Sequence, residues 1–359
     1  MYLNENEAAM EKTHNYHDEM NIKNTVKLRD ILRTLPPFCK QFFRGIQDVT
    51  SSRTKIAYAY DIRVFFEYMH ENNSYCNKMN IVDFPLGILD SITREDIEEY
   101  MEYCSYYTKD HKEYTNGERG KSRKLATLRS FYNYFFGCEL IKTNPAVLVP
   151  MQKLHEKEII RLDADEVAVL LDQVELGTNL TKSQMKFHGK TKLRDVAMIT
   201  LLLGTGIRVS ECVGIDIRDI DFKNTGIKIR RKGGYETVIY FGNEVETALL
   251  EYLEERKHII PESGNEDALF LSIQNKRIGV RAVENLVKKY ASLVTNLKKI
   301  TPHKLRSTYG TSLYRETGDI YLVADVLGHK DVNTTRKHYA AIDDERKRKA
   351  RNVVHLRED

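Results

Sequence analysis

The sequence predicts a mainly α protein of two domains, with a small β-sheet confined to the second, which is therefore α+β. Three observations lead there. The chain has 359 residues, more than one small core usually organises and too few for three. Apolar residues recur at helical spacing through residues 28–136, and strand-like alternation flanks Gly233-Gly234 alone.

Residues 1–27 are polar, with Asn4, Asn6, Asn15 and Asn21 among acidic neighbours, and predict an adaptable leader. The first domain then spans 28–148. Leu28, Ile31, Leu32 and Leu35 begin it at helical spacing, and Pro36-Pro37 stops that helix. Thr50-Ser51-Ser52 offers caps for a long helix whose Ile56, Tyr60, Ile62, Phe65, Phe66 and Met69 form a buried stripe, with Arg53, Lys55 and Arg63 on the other face. A third helix starts near Thr93 and runs through Ile97, Tyr100, Met101 and Cys104. After a polar loop over 109–120, a helix over 121–136 turns Leu125, Leu128, Phe131, Tyr132, Phe135 and Phe136 inward, with Lys121, Arg123, Lys124 and Arg129 at its start and flank.

Asn144-Pro145-Ala146 through Pro150 ends this domain, and 149–159 reads as a charged linker. The second domain, 160–342, opens with a helix near 163–174. The almost fully apolar run 193–203 predicts a deeply buried helix. Ile227 and Ile229, then Val238 and Tyr240, alternate with polar residues on either side of the glycines, as in a hairpin. Helices fill most of the rest, and 343–359 forms a charge-rich tail.

Composition excludes several classes. No apolar run approaches the roughly 20 residues needed to span a bilayer, and Met1-Tyr2-Leu3-Asn4-Glu5 does not open a signal peptide, which predicts a cytosolic protein. The five cysteines, Cys39, Cys76, Cys104, Cys138 and Cys212, lack the short paired spacings of a zinc or redox site and read as reduced thiols. A net charge of +4 is too small to identify a nucleic-acid binder, so clustering carries more weight.

The chemistry-bearing segments lie in the second domain. Gly204-Thr205-Gly206-Ile207-Arg208-Val209-Ser210-Glu211 reads as a loop entering a helix, where Arg208 either faces an anion or pairs with Glu211. It lacks the Gly-Lys-Ser/Thr ending of a nucleotide-binding P-loop. In Thr301-Pro302-His303-Lys304-Leu305-Arg306, His303 and Arg306 share a helical face, as a phosphate grip or a surface pair. Leu327-Gly328-His329 adds another histidine, and Thr334-Thr335-Arg336-Lys337-His338-Tyr339 follows. In this order the Arg, Lys, His-x-x-Arg, Gly-His and Tyr segments resemble the tyrosine recombinase family over residues 160–345, being most similar to its bacterial Xer and integrase-like members. The first domain looks, more loosely, like that family's helical core-binding domain.

The resemblance implies that Arg208 and Arg306 clamp the scissile phosphate, and that Lys232, chosen over adjacent Arg230 and Arg231 by its position before Gly233-Gly234, protonates the leaving 5′ oxygen. It further implies that His303 helps deprotonate the nucleophile Tyr339, His329 donates to the phosphate, and Glu211 steadies the site. The interval from His329 to Tyr339 is one residue longer than in many relatives. Arg53, Lys55, Lys124, Arg129 and Lys304 are expected to contact DNA. The chemistry is consistent with that set: a phenol with a reference pKa of about 10 needs a base and a cationic phosphate pocket to attack at neutral pH.

No carboxylate cluster in these segments would clearly hold metals, and a phosphotyrosyl bond conserves the energy of the broken DNA bond. The expected enzyme therefore uses no metal, ATP or other cofactor. Its expected assembly is a homo-tetramer on two double-stranded sites, without membrane association, exchanging 343–359 between neighbours and leaving room for accessory directionality proteins. The alternatives are a type IB topoisomerase, which rejoins the same strand, and a catalytically silent DNA-binding protein of the same fold.

Overall fold

The computed structural model describes residues 16–329, apart from 110, 156–159 and 232–233, together with Val332. Its chain divides into two compact units, Met1–Lys157 and Glu158–Asp359. The fold is mainly helical with small antiparallel sheets.

The first unit contains helices α1 (Tyr16–Leu32), α2 (Cys39–Gly45), α3 (Ser52–Asn72), α4 (Ile88–Ser91), α5 (Arg94–Tyr103), α6 (Glu118–Gly137) and α7 (Pro145–Leu148). Between α5 and α6 lies a hairpin of β1 (Tyr106–Lys109) and β2 (Lys112–Thr115). Ser51 caps α3 by accepting the Thr54 amide at 3.2 Å, and Thr93 and Asp96 close a reciprocal capping box on α5. The core is a set of interleaved rings. Phe131 of α6 meets Phe42 and Phe135 edge-on with centroids 5.1 Å away, the preferred arrangement of aromatic quadrupoles.

Three sequence expectations change here. Residues 16–27, read as part of a polar leader, are helical. Their anchoring is polar and long-range, with Asn24 donating to Ser52 at 3.0 Å, Ser52 donating to Asn21 at 2.9 Å and Lys27 over the Tyr60 ring, so apolar periodicity does not reveal it. The expected polar loop over 109–120 holds β2 and the last residue of β1, and Tyr107, just before it, pairs with Tyr114 with their rings stacked at 5.2 Å. Phe136, assigned to the core, lies on an exposed face of α6 because Phe135 occupies the inward position.

The second unit contains α8 (Ala164–Leu176), α9 (Lys182–Thr205), α10 (Val209–Val213), α11 (Asn243–Lys257), α12 (Val280–Ala291), α13 (Pro302–Thr317) and α14 (Ile320–Leu327). Strands β3 (Ile220–Asp221), β4 (Gly226–Arg230) and β5 (Glu236–Tyr240) form an antiparallel sheet in that order. Helix α9 is the hub against which α8, α11 and α13 pack. Thr181 and Gln184 begin it with a capping box, well before its apolar run. Asp195, buried on α9, is neutralised by Arg194 at 2.6 Å and Lys289 at 3.5 Å, and accepts the Tyr290 hydroxyl at 3.1 Å, as a buried carboxylate requires.

Strands β4 and β5 pair with Ile227 opposite Ile239, both buried, and Lys228 opposite Val238. Val238 and Tyr240 therefore face solvent, and Ile239 is the inward residue of β5. The turn is closed from both sides by Arg231, whose amide donates to Tyr235 O and whose carbonyl accepts from Gly234 N, each at 3.0 Å.

Candidate active site

Helix α9 stops at Gly206, whose φ of +63° is left-handed and whose hydrogen faces the Tyr309 ring so closely that an added Cβ would lie 2.4 Å from it. This turn delivers Arg208 to the N-cap of α10. Of the two readings of Arg208, the pairing with Glu211 is present. Buried Glu211 accepts the Arg208 amide at 2.8 Å and its Nη1 at 2.7 Å, holding the guanidinium by backbone and side chain together. The arginine stays about one-third exposed. Behind Glu211, burial first and the Glu211 charge second push the Cys212 thiol up to about 12.

Arg306, on α13, is almost fully buried. Its Nη1 donates to Gly206 O at 2.6 Å and its Nη2 to Leu327 O, while Arg208 Nη2 donates to Gly328 O at 3.2 Å. The fold thus brings two sequence-distant arginines onto consecutive carbonyls at the end of α14. His329 follows directly and is half-buried, whereas His303 is exposed in the first turn of α13. Lys304, beside it, is half-buried. Lys232 and Tyr339 lie outside the described residues.

The basic residues of the first unit differ sharply among themselves. Arg53 is exposed in the first turn of α3, and Lys55 is half-buried, reaching Gln47 O at 3.4 Å. Lys124, expected to meet DNA, is instead buried with its Nζ 3.2 Å from Asp61 Oδ1. Its charge is used inside the unit, and Arg123, which also binds Asp61, is the half-exposed neighbour. Arg129 likewise turns back on its own unit, donating to Ala146 O at 3.1 Å and Val149 O at 2.5 Å. Among the described residues no group of three or more His, Cys, Asp or Glu could hold a metal ion, and no helix is long and apolar enough to cross a membrane.

The model of the phage integrase family matches residues 161–346. The chain is 33% identical over 331 residues to the tyrosine recombinase XerC of Caldanaerobacter subterraneus subsp. tengcongensis, covering 88% of this chain and 86% of that protein. The chain belongs to the phage integrase family of tyrosine recombinases. It is also 27% identical over 361 residues to the tyrosine recombinase XerS of Lactococcus lactis subsp. cremoris, covering 92% of this chain and 98% of that one. This tyrosine recombinase is accordingly a DNA strand-transferring enzyme of Xer-like type.

Solved structures share its fold. The XerH recombinase bound to its difH substrate is 18% identical with a TM-score of 0.57, over 80% of this chain and 76% of that one. A lambda integrase dimer bound to a COC′ core site is 15% identical with a TM-score of 0.59, over 84% and 93%.

The partners of two residues of this recombinase, Asp61 and Arg231, are not expected from its sequence, where Arg231 figures only as an alternative to Lys232. Asp61 sits beside the apolar stripe of α3 and gathers Arg123, Lys124 and Thr127; a lone carboxylate next to Ile62 was the available signal. Arg231 reaches the end of α14, and nothing local distinguishes it from Arg230.

Proposed function

We propose that this recombinase cuts and rejoins DNA at a specific site through a 3′-phosphotyrosyl intermediate on Tyr339. The observation that best supports the reading is the convergence of Arg208 and Arg306 on the corner that precedes His329. Two guanidiniums held so close together can fork onto the non-bridging oxygens of one phosphate and offset the charge that grows there during attack. Glu211 preorganises the first of them.

In the proposed reaction the Tyr339 oxygen attacks phosphorus, and His303 takes the phenol proton. The bond to the 5′ oxygen breaks, and Lys232 supplies the proton that makes it a 5′ hydroxyl. His329 donates to the phosphate. The second step reverses the first with a 5′ hydroxyl from the other duplex. The phosphotyrosyl bond retains the energy of the broken one, so the cycle needs no ATP, and the cationic set performs the charge stabilisation elsewhere given to metal ions.

The DNA-contacting set in this reading includes Arg53, Lys55 and Lys304. The assembly is four chains on two duplexes in the cytosol, serving dimer resolution or the integration and excision of a mobile element. The exchanged segment, 343–359, lies outside the described residues.

A nicked suicide duplex carrying the chain's own site tests the chemistry by trapping the covalent adduct. Wild type is expected to yield an adduct that maps to Tyr339 and sediments as four chains on two duplexes. Tyr339→Phe, which loses one oxygen and keeps the ring, is expected to bind normally and form none. Label recovered on Tyr314 or Tyr321 would overturn the nucleophile assignment. Relaxation of supercoiled plasmid by single chains would point to strand rotation instead.

A further inference from the structure

We infer that Arg231 is a positioning residue of the strand-transfer site, tying the β4–β5 turn to the corner of α14 that carries His329. The inference rests on the recombinase reading above and adds a residue to it. Arg231 is nine-tenths buried, although it stands at the mouth of a surface hairpin. Its backbone is fixed on both sides by the turn bonds to Gly234 and Tyr235. From that anchor its guanidinium forks onto α14, Nη1 to Asp325 O at 3.3 Å and Nη2 to Val326 O at 2.8 Å.

These carbonyls belong to one row. Asp325 and Val326 take Arg231, Leu327 takes Arg306, and Gly328 takes Arg208. The last carbonyls of a helix have no partners within it and carry the negative end of its dipole, so a row of cations is favourable there. Arg231 occupies the first two places, and the two proposed clamp arginines occupy the next two.

A simple helix stop does not require this arrangement. Gly328, at φ +61°, already closes α14 through its own amide to Asp325 O and the His329 amide to Ala324 O, each at 2.8 Å. Burying a guanidinium beyond that is costly, the more so because Arg231 Nε is buried and has no hydrogen-bond partner among the described residues. The contact also constrains its surroundings, since a Cβ on Gly328 would sit 1.4 Å from Arg231 Nη1. The expense is accounted for if the contact holds Gly328, and with it His329, in register with the β4–β5 turn.

The test measures single-turnover cleavage of the nicked suicide duplex by the full chain. Arg231→Ala is expected to leave duplex affinity within about twofold and to slow cleavage at least tenfold. Arg231→Lys keeps the charge and protects the fold, but its single, shorter-reaching nitrogen lacks the rigid planar fork whose two nitrogens meet Asp325 O and Val326 O, so a loss of at least fivefold is expected to remain. In a His329→Ala background, Arg231→Ala is expected to slow cleavage less than threefold further, because a residue acting through His329 has little left to lose. Full recovery by Lys, wild-type cleavage by the Ala variant, or an undiminished loss in the His329→Ala background would each overturn the inference. Failure of the wild-type chain to form any adduct would instead remove the strand-transfer reading beneath it.

Discussion

Two buried carboxylates, Asp61 and Glu211, show how one residue type acquires opposite uses. Glu211 holds Arg208 partly exposed, with its second Nη on Gly328 O. Asp61 instead draws Lys124 out of solvent and compensates it with Arg123 and Thr127. Asp61→Ala should leave the buried ammonium unpaired, and breaking such a pair costs about 3–5 kcal/mol. Urea denaturation is expected to register that loss. Lys124→Met retains the stem volume and leaves Asp61 with Arg123 and Thr127, so a clearly smaller loss is expected. A Lys124→Met chain whose stability is unchanged while its DNA affinity collapses would show that the lysine faces DNA after all.

At the scale of elements, α14 is short, and the three guanidiniums and an αL glycine at its end leave little freedom in how it stops. Gly328→Ala should disturb two things together: a left-handed alanine costs about 1–2 kcal/mol, and the added carbon displaces the Arg231 guanidinium. The expected outcome is a modest fall in melting temperature with a cleavage loss at least as large as that of Arg231→Ala. Normal cleavage by Gly328→Ala would mean that the corner tolerates displacement. The two hairpins show why some elements are legible and others are not. Strands β4 and β5 bury Ile227, Ile229 and Ile239 on one face, so their alternation shows, although Val238 and Tyr240 mark the outward phase. Strand β2 is exposed throughout and leaves no such trace.

For the whole molecule, the small net charge makes the location of each cation decisive. Losing one phosphate contact should lower the salt slope of binding by about one unit. Arg53→Ala and Lys55→Ala are each expected to do so in titrations of the duplex site at graded salt. Lys124→Met and Arg129→Ala are expected to leave the slope unchanged, because those cations are committed to Asp61 and to the carbonyls around α7. Unchanged slopes for Arg53→Ala and Lys55→Ala would remove α3 from the interface.

The sequence by itself determined the family, the helical stripes, the glycine turns and the order of the chemistry-bearing segments. These are local properties: a period of 3.6, a cap three residues from its partner, or a motif such as His303-x-x-Arg306 can be recognised without knowing what lies across the core. Only the tertiary structure decided which cations are free for a partner. Lys124 and Arg53 are both basic residues on amphipathic helices, and their difference arises from Asp61 of α3, which meets Lys124 of α6 across the core. The same holds at the site, where Arg231, Arg208 and Arg306 share the carbonyls at the end of α14 because α10 and α13 pack on α9, β4 packs on α10 and α14 packs on α13. A charge is written in the sequence, but its burial and its partner are set by long-range packing.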